Sequence, residues 1–142
     1  MSRPVPPLHI LVVDDEAIVR EALKMILIFK GHTVDLASDG PEALGKMAKQ
    51  TFDIVFTDYN MPEMLGDELA KRTRQRYPHQ VIVMISAYSK FLSRDQIPVD
   101  LFIAKPFELQ TVLDAVGRAH KINKANRKKA ECQFPPSATP PL

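Results

Sequence analysis

A chain of 142 residues with 45% hydrophobic composition is long enough for one domain that buries most of the surface its unfolded form exposes. The net charge of +2 hides an asymmetry: residues 118–142 hold six Lys or Arg against the single acid Glu131, which leaves about −3 on residues 1–117 and makes the pI near 8.7 a property of the tail. The lone cysteine, Cys132, excludes an internal disulfide and disfavours a cysteine-based zinc site; MSRPVPPLHI lacks the core of a signal peptide, and no run approaches the roughly 20 apolar residues of a membrane span, so a soluble cytoplasmic protein is expected.

Residues 9–13, HILVV, form a continuous β-branched-rich run that stops at Asp14 and Asp15, the pattern of a strand covered on both faces. From Glu16 to Lys30 the residues Ile18, Val19, Ala22, Leu23, Ile26 and Leu27 recur at helical spacing, and Gly31 supplies a left-handed stop. HTVDLA, residues 32–37, alternates like a strand; Ser38, Asp39 and Gly40 then turn the chain, and Pro41 opens the helix that continues through EALGKMAKQ. DIVFTD predicts a third strand ending on Asp58, and the loop NMPEMLG leads into a helix opened by Gly66 or Asp67 and halted at Pro78.

VIVMIS, residues 81–86, is a fourth buried strand. SKFLSRDQI has room for about two helical turns before Pro98, and LFIA, residues 101–104, is a short fifth strand. FELQTVLDAVGRAHKI then predicts an amphipathic helix with Leu109, Val112, Leu113 and Val116 inward. Strands alternating with helices imply a doubly wound parallel sheet, an α/β fold, whose ligands bind beyond the carboxyl ends of the strands. Residues 1–7 read as an N-terminal tail, 8–121 as the domain, and 122–142 as a basic and then Pro-rich tail or linker; NKANRKKAECQ is able to prolong the last helix, whereas FPPSATPPL cannot build a core.

The winding gathers the polar strand ends at one edge: Asp14 and Asp15, Asp58, Ser86 and Lys105. Carboxylates this close oppose joint ionisation unless a cation intervenes, and an oxygen-only donor set without His or Cys suits Mg²⁺. An aspartate beside such a cation can act as a nucleophile toward phosphorus, with Lys105 and Ser86 holding the phosphoryl oxygens. Each residue has a plainer reading. The acid pair can cap a helix, Asp58 can cap a turn, Ser86 can satisfy its own backbone, and Lys105 can be a solvated lysine. Their joint occurrence at four strand ends in order is the specific signal.

The segments LVVDDE, DIVFTDYNMPE, VIVMISAY and IAKPF resemble the receiver domain of two-component response regulators over residues 8–121. The resemblance implies a flavodoxin-like fold with strand order 2-1-3-4-5. It implies that Asp58 accepts a phosphoryl group from a histidine kinase or phosphotransfer protein, and that Asp14, Asp15, Asp58 and the Asn60 carbonyl hold Mg²⁺. Ser86 and Lys105 would bind the phosphoryl group, with the Lys105–Pro106 peptide cis. Ser86 would move on phosphorylation and let Phe102 turn inward past Ala87, altering the face of helix 4, strand 5 and helix 5 that meets a downstream partner or output domain; Phe102 as plain core is the alternative. Asn60 and Tyr88 would set the phosphoryl lifetime, the bulk of Tyr88 favouring slow hydrolysis.

Only 19 positions separate Ser86 from Lys105, fewer than is usual in the family, and IPVD, residues 97–100, replaces the customary Gly-Ala-Asp turn. A short or irregular helix 4 is therefore expected, which leaves a homodimer possible but unspecified. A haloacid-dehalogenase-like phosphatase is the competing enzyme reading, although Asn60 stands where such enzymes carry a second acid. A flavin module needs a phosphate loop where this chain has DDEAIVR. The basic tail lacks the interleaved aromatics of a nucleic-acid site, so neither nucleic acid nor membrane is an expected partner.

Overall fold

The structure is a computed structural model that describes residues 5–87 and 97–133, the last four by their backbone alone. Five parallel strands, β1 (His9–Val13), β2 (Thr33–Ala37), β3 (Ile54–Asp58), β4 (Val81–Ser86) and β5 (Leu101–Ala104), lie side by side in the order β2-β1-β3-β4-β5. The described helices are α1 (Ala17–Phe29), α2 (Gly40–Lys49), α3 (Gly66–Arg76) and α4 (Leu109–Gln133). This is the doubly wound parallel sheet expected from the alternation of strands and helices, in the flavodoxin-like strand order that the resemblance implies.

Side-chain alternation along the strands decides which layer each residue joins. Ile10, Val12, Ile54, Phe56, Val81, Val83, Ile85, Leu101 and Ile103 face one way and pack with Leu23 and Leu27 of α1 and with Val112, Ala115, Val116 and Ala119 of α4. The opposite alternation puts Leu11, Val13 and Val55 against Ala43 and Met47 of α2 and Leu69 of α3, and puts Ile82 and Met84 with Ala70 of α3. Every residue of β3 and β4 is buried, which is why these stretches read as unbroken apolar runs rather than as alternating ones.

Local chemistry fixes the connections. Asp39 caps α2 by accepting from the Glu42 amide at 2.8 Å, while the Glu42 carboxylate accepts from the Ser38 hydroxyl, also at 2.8 Å. Gly31, at φ +92°, takes the left-handed conformation that ends α1. Gly66 opens α3 pressed against the end of β3, where an added Cβ would lie 2.4 Å from the Asp58 carbonyl oxygen.

The stretch 97–100 is seated by one arginine. Arg74 of α3 donates to the carbonyls of Pro78 at 2.9 Å, Gln80 at 2.6 Å and Pro98 at 3.0 Å, and to the Asp100 carboxylate at 3.1 Å. Asp100 in turn accepts from the Ile82 amide at 2.8 Å, so the approach to β5 is tied to the start of β4.

Two expectations change. Leu109, expected inward, is 54% exposed, because the first turn of α4 stands clear of the sheet that Val112 and Val116 cover. Ile18 matches the helical spacing of α1 yet is 85% exposed, since α1 buries only the stripe through Leu23 and Leu27. The basic segment NKANRKKAECQ runs on as part of α4, the helical continuation its sequence allows, and rests on the amino edge of the sheet. There Asp53 accepts from Arg127 at 2.7 Å and from the His9 amide at 2.8 Å, and Asn126 donates to the His79 carbonyl at 3.0 Å. Of the helix expected over 89–97, residues 89–96 lie outside the described residues, as does Tyr88.

Candidate functional site

The carboxyl edge is built by strand register. Val13 pairs with Thr57, Asp58 with Ile85, and Ser86 with Ala104, so the strands end level with one another. The backbone stays hydrogen-bonded one residue beyond three of these ends: the Asp14 amide donates to Ala37 O at 3.1 Å, Tyr59 to Ile85 O at 3.1 Å and Lys105 to Ser86 O at 3.0 Å. Polar side chains at these positions are therefore carried on backbone as fixed as the sheet itself.

Asp14, Asp58 and Lys105 continue the same alternation, the one that faces α1 and α4, and they meet. Lys105 Nζ lies 2.9 Å from Asp58 Oδ1 and 3.6 Å from Asp14 Oδ2. Asp14 and Asp58 are 1% and 4% exposed. Ser86, also buried, and Phe102 fall on the other alternation; Phe102 packs half-buried against the cluster of Ala70, Ile82 and Met84. Ala87 helps line an open notch of about 430 Å³ with Val19, Lys105, Pro106 and Phe107. Asn60 is exposed in the loop after β3, and the Lys105–Pro106 peptide is cis.

One residue was missed by the sequence reading. Among the described residues the acids whose oxygens lie within 4.8 Å of one another are Asp14, Asp15 and Glu16, so Glu16 joins the pair while Asp58 sits across the lysine. Its adjacency in the run DDE was the available signal. The plainer reading of the acid pair as a helix cap does not describe what is seen. Glu16 occupies the N-cap of α1 without a side-chain cap bond, and Asp14 Oδ1 accepts the Glu16 amide at 2.9 Å in its own turn.

The electrostatics follow from burial. Desolvation is the largest influence on Asp14 and lifts its carboxyl to about 6; the charges of Asp58 and Asp15 add to this, and the Glu16 amide and Lys105 only partly offset it. Asp58 is also raised, again chiefly by burial, against the pull of Lys105 and the Tyr59 amide. Burial acts to lower Lys105, but its hydrogen bond to Asp58 and the charges of Asp14 and Asp58 prevail, so the ammonium is held more firmly protonated than usual. One ammonium thus faces two buried carboxylates, with Asp15 and Glu16 beside them.

The residues fit a divalent cation. Among the described residues Asp14 Oδ2 finds no hydrogen-bond partner although it is buried, a costly arrangement for a carboxylate oxygen that the Lys105 ammonium at 3.6 Å only partly relieves. The donors at hand are all oxygens, the set that hard Mg²⁺ prefers.

Residues 10–117 match the family described as response regulator receiver domain. The chain belongs to that family. Among its relatives, the response regulator MprA of Mycobacterium sp. (strain KMS) is 36% identical over 110 residues, 75% of this chain and 48% of that protein. The response regulator FleR of Pseudomonas aeruginosa is 33% identical over 112 residues, 77% of this chain and 24% of that protein. A solved structure of the response regulator TrrA from Thermotoga maritima in complex with Mg²⁺ and BeF superposes with a TM-score of 0.72 at 34% identity, covering 79% of this chain and 98% of that one. The receiver spans between a quarter and a half of the two curated relatives' lengths.

Receiver domains are signalling switches of two-component systems rather than classical enzymes. As a family they are controlled by phosphorylation, interact with kinases and output domains, and generally bind Mg²⁺ at an acidic pocket. No described helix is long and apolar enough to cross a membrane.

Proposed function

We propose that this receiver is a working phosphorylation switch whose acceptor is Asp58. The observation that carries the reading is the single ammonium of Lys105 spanning Asp58 and Asp14 at the carboxyl edge. A histidine kinase or phosphotransfer protein supplies the phosphoryl group. An Asp58 oxygen attacks phosphorus, the bond from phosphorus to the donor's nitrogen breaks, and the leaving imidazole takes up a proton. The rigid backbone behind Asp58 keeps the nucleophile in place, and Lys105 offsets the charge that gathers on the phosphoryl oxygens.

Asp14, Asp15, Asp58 and the Asn60 carbonyl would hold Mg²⁺, with the Glu16 carboxylate beside Asp14 and Asp15; when bound, the ion would neutralise phosphoryl oxygens that the acids otherwise repel. Asp14 and Asp15 otherwise act by repulsion, excluding a bare phosphate. The receiver thus catalyses only its own phosphoryl transfer and hydrolysis, with Asn60 and Tyr88 as the residues that set the lifetime.

The output reading assigns Ser86 as the hydroxyl that moves onto the phosphoryl group and Phe102 as the ring that follows it past Ala87. The half-buried state of Phe102 supports a ring able to occupy two positions, and a contact that exists only in the phosphorylated state is what shifts such an equilibrium. The partner is a downstream protein or an output domain, the setting is the cytoplasm, and the unit that does this work is residues 8–121.

Incubating the protein with Mg²⁺ and a small phosphodonor should add one phosphoryl group by intact mass, lost in metal-free buffer and in Asp58→Asn. Undiminished labelling of Asp58→Asn would overturn the assignment.

A further inference from the structure

Arg20 stands in the first turns of α1, outside every residue assigned above. Its Nη1 donates to the main-chain carbonyl of Asp14 at 2.7 Å, reaching back across six positions to the end of β1. That bond completes an unusual set. The Asp14 amide is spent on Ala37 O at 3.1 Å, its carbonyl on Arg20, and its Oδ1 on the Glu16 amide at 2.9 Å. Among the described residues, Oδ2 is the one polar atom of Asp14 without a hydrogen bond, and it is buried 3.6 Å from Lys105 Nζ.

We infer that Arg20 is a positioning residue for the divalent cation: by holding the Asp14 carbonyl it fixes the turn that aims Asp14 Oδ2 into the acidic hollow. This rests on the metal-binding part of the proposed function. Without the guanidinium the peptide after Asp14 loses the one side-chain anchor it has among the described residues and can rotate, carrying Oδ2 and the neighbouring Asp15 with it. Partners that orient a ligand without touching the ion are commonly worth about 10- to 100-fold in metal affinity.

The effect has a signature that charge alone cannot produce. Removing a cation from the neighbourhood of any divalent ion favours binding, and does so equally for Mg²⁺ and Ca²⁺. Loosened geometry discriminates between them, because Mg²⁺ demands a near-ideal octahedron at about 2.1 Å whereas Ca²⁺ accepts longer and more varied contacts. The ratio of the two affinities therefore isolates positioning from charge.

The test is a calorimetric titration of the unphosphorylated protein with Mg²⁺ and separately with Ca²⁺, for wild type, Arg20→Met and Arg20→Lys. Arg20→Met should lower the preference for Mg²⁺ over Ca²⁺ by about tenfold, and Arg20→Lys, which keeps one donor, should recover part of it. A wild-type ratio in Arg20→Met overturns the inference, whatever that variant's thermal stability. Should Arg20→Met not unfold cooperatively, Arg20→Gln, too short to reach the carbonyl, carries the same two outcomes. A wild type that binds neither cation would instead sink the metal-binding reading beneath it.

Discussion

Lys105 Nζ stands 2.9 Å from Asp58 Oδ1, and the same ammonium lies 3.6 Å from Asp14 Oδ2. These residues come from three strand ends, and their charges do not cancel, since one cation faces two buried anions. Replacing Lys105 with Ala leaves both carboxylates uncompensated. Breaking a buried pair from one side costs about 3–5 kcal/mol, and the partial exposure of Lys105 reduces that to about 1–3 kcal/mol at neutral pH. Urea unfolding should show this loss in metal-free buffer, with millimolar Mg²⁺ recovering more stability in Lys105→Ala than in wild type. Equal gains in the two proteins would show that the lysine and the cation do not share a site.

The pH dependence of the metal-free protein should carry opposed contributions, with the raised Asp58 carboxyl acting in the same direction as Asp14. Asp14 is raised from 3.8 to about 6, so between those values the folded state holds a proton that the unfolded chain releases. Its contribution is fully present below pH 3.8 and is lost as pH rises through about 6. His32 is shifted the other way, lowered from 6.5 mainly by burial, with Asp53 opposing and His120 adding to the shift; its Nδ1 accepts the Leu8 amide at 3.0 Å and must stay unprotonated to do so. That contribution is present above pH 6.5 and is lost as pH falls through the depressed value. Unfolding series from pH 7.5 to 4.5 should show Asp14→Asn reducing the gain on acidification, of which Asp58 keeps a share, and His32→Asn reducing the loss. Parallel curves for all three proteins would contradict both assignments.

Gly66 should tolerate no side chain. A Cβ there would stand 2.4 Å from the Asp58 carbonyl oxygen and 2.8 Å from Tyr59 Cα, both backbone atoms that cannot swing aside. Gly66→Ala should cost about 2–4 kcal/mol and shift the end of β3, so that, on the proposed role of Asp58, labelling by a small phosphodonor falls along with stability. Gly45, with nothing within 4 Å of an added Cβ, supplies the control: Gly45→Ala in the middle of α2 should stabilise by about 0.5–1 kcal/mol.

Arg74 offers a fourth measurement. Its guanidinium satisfies the carbonyls of Pro78, Gln80 and Pro98 together with the Asp100 carboxylate, and Asp100 in turn holds the Ile82 amide. Arg74→Ala should cost about 2–3 kcal/mol and speed amide exchange over residues 97–101 and at Ile82, before any change in β1. Arg74→Lys should recover little, because one ammonium cannot serve acceptors spread around a planar fork.

The sheet and most of its edge were legible because strand periodicity is a local property. Once HILVV, DIVFTD and LFIA are read as strands, alternation puts Asp14, Asp58 and Lys105 on one side of the sheet without any further information. Glu16 escaped because its approach to Asp14 and Asp15 depends on how the chain turns before α1, which no period encodes. Arg74, Arg20 and the Arg127–Asp53 contact escaped for a related reason. A long cation on a polar helix face looks the same in sequence whether it points to water or to a carbonyl many residues away. Ile18 and Leu109 misled in the opposite direction, since helical spacing marks a stripe wider than the strip the sheet covers.

The order in which the charge-balancing parts arrive along the chain has a consequence for synthesis. The two buried acids belong to β1 and β3, but their lysine follows β5, nearly fifty residues after Asp58. A nascent polypeptide that has released its first four strands from the ribosome therefore carries unneutralised carboxylates where its interior should close. Competence to be phosphorylated and completion of folding should coincide, leaving half-made chains unable to intercept the signal.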